Sequence, residues 1–106
     1  MASISKILGQ ANPAAVLTDL YTVPAGGVSF LSLNVCNRSV FAESYRVSVA
    51  LAGAADHVKQ YLEYDKVLAA NNSEVITGIA LKAGDKLRIY ASASTVSFTA
   101  MGTETI

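Results

Sequence analysis

Apolar and polar residues alternate along much of this chain with a period of two, the spacing of a β-strand with one covered face. Tyr45, Val47, Val49 and Leu51 fall in one phase, with Arg46, Ser48 and Ala50 in the other. Leu87, Ile89 and Ala91 alternate in the same way with Lys86, Arg88 and Tyr90. The run from Val28 to Cys36 differs. Val28 and Phe30 share one phase and Leu31, Leu33 and Val35 take the other, which predicts a bulge or a central strand covered on both sides.

Turn residues punctuate these runs at even intervals, at 9–13, 24–27, 37–39, 53–56, 71–73, 83–85 and 92–94. The spacing predicts seven or eight strands, near residues 3–8, 17–23, 28–37, 44–52, 58–64, 73–81, 86–92 and 95–104. Short strands at regular intervals indicate an all-β, antiparallel β-sandwich, jelly-roll or immunoglobulin-like. The segment 54–64 reads either as a short helix capped by Asp56 or as a loop leading into a strand from Lys59, and the strand is the preferred reading.

One cassette occurs twice. Leu20-Tyr21-Thr22-Val23-Pro24-Ala25-Gly26 runs on into Val28–Leu33, and Ile79-Ala80-Leu81-Lys82-Ala83-Gly84-Asp85 runs on into Leu87–Ala91. Each is a β-prone run that stops at a Gly-containing turn and resumes at once, the grammar of chain reversal between neighbouring strands. The likeness fades beyond the turn, so it does not mark a solenoid.

The 106 residues form a single domain over 1–106, large enough for one core without disulfides or metal. Residues 1–15, with Gly9, Asn12 and Pro13, read as an extended N-terminal arm beyond their strand-like start. Formal charge is zero and evenly spread, which disfavours nucleic acid and anionic membranes as partners. Charged residues are only 15% of the chain, against about 25% in ordinary soluble domains. A surface so short of charge points to burial against other proteins or other copies of the chain, the alternative being a surface of small Ala, Ser and Thr residues. No signal-like or membrane-spanning apolar run is present, so synthesis in a cytoplasm is expected.

Residues suited to chemistry are scarce. Cys36 is the only cysteine and His57 the only histidine, in unrelated segments, so neither a disulfide, a thiol-imidazole pair nor a zinc site is expected. Asp19, Asp56, Asp65 and Asp85 lie at turns or strand ends, where Asp bonds the local backbone. Glu63 and Asp65 would share a strand face, two carboxylates where calcium takes six to eight oxygens. No phosphate loop or nucleophile elbow occurs. The chain therefore reads as a non-enzyme with no catalytic, cofactor-binding or metal residues. Tyr61 and Tyr64 are expected on opposite strand faces, which would deny a sugar one stacking platform.

Three segments together, Leu20–Gly26, Leu33-Asn34-Val35-Cys36-Asn37-Arg38-Ser39, and Leu81-Lys82-Ala83-Gly84-Asp85-Lys86-Leu87-Arg88-Ile89-Tyr90-Ala91-Ser92, resemble small virion structural proteins of tailed bacteriophages. The resemblance covers about residues 10 to 104. It implies a β-sandwich of the virion, most simply a capsid decoration or cement protein made in the host cytoplasm. Its expected partners are other virion proteins, major capsid or tail proteins, and further copies of itself in a homo-oligomer. The alternatives are a tail, baseplate or fibre component, or a receptor- or carbohydrate-binding module. The resemblance carries no catalytic residues. Its 17 Ala and 11 Ser suit close approach of neighbouring sheets.

Overall fold

A computed structural model describes residues 2–106. Eight strands follow the predicted positions closely: β1 (Ser3–Ala11), β2 (Thr18–Thr22), β3 (Val28–Asn37), β4 (Glu43–Ala50), β5 (Tyr61–Leu68), β6 (Ser73–Lys82), β7 (Lys86–Ala91) and β8 (Val96–Thr105). They form two four-stranded antiparallel sheets packed as a sandwich, in the orders β1-β8-β3-β6 and β2-β7-β4-β5. We call these sheet A and sheet B.

The strand order resolves the sequence's two alternatives in favour of the jelly roll. Pairing joins β1 to β8, β2 to β7, β3 to β6 and β4 to β5. The chain is thus one long antiparallel ribbon, doubled back near residues 51–60 and rolled up so that alternate segments fall in opposite sheets.

The twice-used cassettes are where the ribbon rolls. They are not hairpins within a sheet: the first carries the chain from β2 in sheet B to β3 in sheet A, and the second returns it from β6 to β7. Their turns are built alike. Gly27 N–H bonds Pro24 O at 3.0 Å across Ala25-Gly26, and Asp85 N–H bonds Lys82 O at 2.9 Å across Ala83-Gly84. Gly26 and Gly84 occupy the same turn position at φ +77° and +84°, a left-handed conformation that glycine adopts without a Cβ penalty. The two turns also hold each other, through Val23 N–H to Asp85 O and Gly84 N–H to Val23 O, both 3.0 Å.

Between the sheets lies one apolar core. Leu31, Leu33 and Val35 of β3 face Tyr45, Val47, Leu87 and Ile89 of sheet B, and Phe98 meets Tyr45 edge-on at 6.0 Å between ring centroids. The phase change expected inside the Val28–Cys36 run is absent there: inward residues alternate without interruption from Ser29 to Asn37. Val28 and Phe30 simply point outward, and the bulge sits on the partner strand. Leu31 pairs with Ile79 and Leu33 with Ile76, so β6 carries one extra residue, accommodated at Gly78 with φ +77°. As expected, β3 is central, between β8 and β6.

Three expectations need correction. The N-terminal segment read as an extended arm is, over Ser3–Ala11, the edge strand of sheet A, paired along its length with β8. Ser3 and Ser5 hydroxyls bond those of Thr105 and Thr103 at 2.7 and 3.1 Å, a fit of small polar side chains invisible to turn signals. Leu51, expected in phase with Val49, is exposed, because β4 ends at Ala50 and the chain enters a 3-10 turn, Leu51–Gly53. Finally, in 54–64 the helix is absent and the preferred reading, a strand, holds with a start two residues later than Lys59. A second 3-10 turn, Val58–Gln60, capped by His57 rather than Asp56, precedes the strand that starts at Tyr61.

Candidate interaction surface

The outward faces of the two sheets differ in chemistry, and the difference follows from which phase of each strand carries charge. On sheet B the outward row includes Asp19, Arg46, Lys86 and Arg88. These satisfy one another: Arg88 and Lys86 reach Asp19 at 2.9 and 3.2 Å, and Arg46 reaches Asp65 at 2.6 Å. Arg88 also donates to Ala54 O at 2.7 Å and to Gly53 O at 3.3 Å. It thereby ties the 51–60 excursion down beside this face, and Ser48 is fully buried on β4 although it lies in the outward phase. Sheet B is in part covered by its own chain. Burial raises the Asp19 carboxyl, but its bonds to Arg88 and Lys86 outweigh that and hold it below its ordinary value of 3.8.

Sheet A presents the opposite surface. Outward positions on β1 are Ser3, Ser5, Ile7 and Gln10; on β8 they are Ser97, Thr99, Met101, Thr103 and Thr105; on β3 they are Val28, Phe30, Ser32, Asn34 and Cys36. None is charged. β6 adds Val75 and Ala80, with Lys82 beside Val28 at one corner. Phe30 stands out furthest, 62% exposed, because its cross-strand neighbours Thr103 and Ala80 are small. Beside it lies a shallow depression of about 320 Å³ lined by Ser32, Gly78, Met101 and Gly102 among others. The shortage of charge noted in the sequence is therefore concentrated on one broad face. Single-sequence reading missed this because it cannot assign both strand phases to one sheet.

Of the residues singled out in the sequence for chemistry, Cys36 alone lies on this face. Cys36 lies on the outer face of sheet A between Ser97 and Ser73. His57 caps the 3-10 turn beside sheet B, its Nδ1 accepting from Lys59 N–H at 3.2 Å. The structure does not bring the two together. Asp85 is 2% exposed and accepts from Ala52 N–H at 2.9 Å and Lys82 N–H at 3.0 Å, a structural clasp. Glu63 and Asp65 do not act as a pair, since an extra residue near Asp65, at φ +51°, breaks the alternation and turns Asp65 to Arg46. Among the described residues no three His, Cys, Asp or Glu side chains gather as a metal site would require.

The tyrosine expectation is overturned. Val47 pairs with Glu63 and Ser48 with Tyr61, so β5 carries an extra residue and Tyr61 and Tyr64 come to one side. Their rings meet edge-on at 5.0 Å. They do not form an open platform, however. The Arg46 guanidinium lies 4.3 Å from the Tyr64 ring centre and 4.6 Å from that of Tyr90, occupying faces on which a sugar would stack. Asp56 accepts from the Tyr61 hydroxyl at 2.9 Å.

No protein-family model matches the chain, and no curated protein matches it in sequence. Among solved structures, the fold is similar to a chain in the structure of infectious bursal disease virus, Gx strain, with a TM-score of 0.55 and 16% identity. The match covers 97% of this chain and 30% of the viral one, so the chain spans less than a third of the length of the protein it resembles. At that identity the likeness concerns the fold alone. Among the described residues, no helix is long and apolar enough to cross a membrane.

Proposed function

We propose that this chain is a non-enzymatic structural protein of a virus particle, a jelly-roll module that works by packing its neutral sheet A face against other particle proteins. The observation that carries the reading is the segregation of charge: the outward Asp19, Arg46, Lys86 and Arg88 of sheet B are paired within the chain, whereas sheet A offers a broad face with exposed Phe30, Met101, Val28 and Val75 and charge only at its ends, Lys82 and Arg38. Large contiguous apolar patches are rare on monomeric proteins, and Phe30, Met101, Val28 and Val75 supply the apolar part of this face. The fold likeness to a viral chain is compatible with it. The sequence segments Leu20–Gly26 and Leu81–Ser92 favour a tailed bacteriophage, with capsid decoration or cement preferred over a tail, baseplate or fibre role.

A sugar- or receptor-binding role gains the unexpected proximity of Tyr61 and Tyr64 and loses more by the arginine seated on the ring face. The test is quantitative gel analysis of purified particles with and without tails. Co-purification with tail-less heads at fixed stoichiometry is expected; loss together with the tails sinks the decoration role, and absence from both sinks the virion reading.

A further inference from the structure

The occupant of the sheet A face can be argued from its own shape and charge. Phe30 projects from the face, and the depression of about 320 Å³ lies next to it, floored by Gly102 and opened by the Gly78 bulge, at which a Cβ would meet no atom within 4 Å. The knob and the hole are therefore on one surface, side by side. A twofold axis lying between two facing copies, and passing between knob and hole, sets each Phe30 into the other's depression.

Charge and area support the same occupant. A strongly charged partner surface would be dehydrated here against few counter-ions, since the charges at this face are Lys82 at one corner and Arg38, beside Gln10, Ser97 and Thr99, at the far end of β3. The matching neutral face known to be present at equal concentration is the same face of a second copy. Four strands spaced about 4.8 Å apart, with about 3.4 Å per residue, give a face of roughly 600 Å². Two such faces bury roughly 1,200 Å², above the roughly 1,000 Å² that specific interfaces need.

We infer that the chain forms a twofold dimer through the outer face of sheet A, with Phe30 of each copy seated beside Gly78 and Gly102 of the other. This rests on the reading of that face as the packing surface and names its partner. Two sheets facing in this way interlock their outward side chains about 10 Å apart, as the two sheets within the molecule already do. Phe30 is then the anchor of the interface, and the Ser and Thr hydroxyls around it exclude water from it.

Sedimentation velocity of the full chain at micromolar concentrations tests this. The wild type should sediment as a dimer. Phe30→Asp should weaken association by about 100-fold or more, and Ser32→Lys, which places a charge in the depression, should do likewise. Both sites are on the surface, so thermal unfolding should confirm that the two variants remain folded. Val58→Asp, on an exposed residue beside sheet B, should leave the dimer intact. A wild-type monomer throughout this range, or a dimer unaffected by either sheet A variant, overturns the inference. If the monomeric chain nevertheless needs Phe30 to enter particles, the face belongs to a different protein and the self-association claim is wrong. A Phe30-dependent dimer that is absent from particles would uphold this inference and defeat the virion reading instead.

Discussion

Replacing Gly102 by alanine is expected to cost at least about 3 kcal/mol, one of the two largest losses available to a single substitution in this chain. Gly102 lies on β8 opposite Leu31 of β3, in the middle of sheet A. A Cβ there would overlap Phe30 O and sit 2.6 Å from Leu31 Cα. Both are backbone atoms of a central strand, so no rotamer change can relieve the overlap, and β3 and β8 would have to separate. Gly26→Ala is the informative control. Its φ is +77° but a Cβ there meets nothing within 4 Å, so it should lose only the left-handed backbone penalty, about 1–2 kcal/mol. Urea unfolding of both variants measures the gap. Equal, small losses would mean that the central strands do not approach as closely as described.

The second large effect is at the cassette. Asp85→Ala should destabilise by about 3–5 kcal/mol, because it removes two charge-assisted bonds and leaves the Ala52 and Lys82 amides without partners. The clasp is local but its consequences are not. It fixes the 3-10 turn after β4 onto the turn between β6 and β7, which in turn holds Val23 after β2. Asp85→Asn should recover only part of the loss, since an amide oxygen can accept one bond while its NH₂ faces the other donor.

The same residue gives a pH signature. Burial raises the Asp85 carboxyl, and the amides of Lys82 and Ala52 lower it more, to a net value below the ordinary 3.8. Glu104 is likewise held below 4.5, first by the Tyr21 hydroxyl at 2.5 Å and then by Lys6. Burial and the Glu104 contact push Tyr21 up to about 12. A carboxyl with a depressed native pKa contributes stability that is present above its unfolded value and is lost as pH falls through its native one. Urea midpoints should therefore hold level down to about pH 4.5 and fall below it, less steeply in Asp85→Asn.

Much of the architecture was legible because strand alternation and turn residues are local. Lys86–Ala91 shows a clean inward row of Leu87, Ile89 and Ala91, and the structure keeps it. The matched Ala25-Gly26 and Ala83-Gly84 turns were visible too, but not that each crosses between sheets, since a turn's sequence does not say which strand its neighbours will pair with. Bulges were the main source of error. Extra residues on β5 and β6 depend on the partner strand, so they moved Tyr64 beside Tyr61 and left β3 regular where its sequence suggested a break. The candidate surface was legible only as a deficit of charge. That only Lys82 and Arg38 would border the outward rows of sheet A required knowing that β1, β8, β3 and β6 lie side by side.

Hydroxyl-radical footprinting of the chain within assembled particles, compared with the dilute free chain, tests most directly whether sheet A is the working face. Phe30 and Met101 are outward on sheet A and Tyr64 is exposed on sheet B, and all three react readily. Loss of modification at Phe30 and Met101 with Tyr64 unchanged is the predicted result. Protection of Tyr64 with Phe30 and Met101 still fully modified would contradict it and place the contact on the charged sheet.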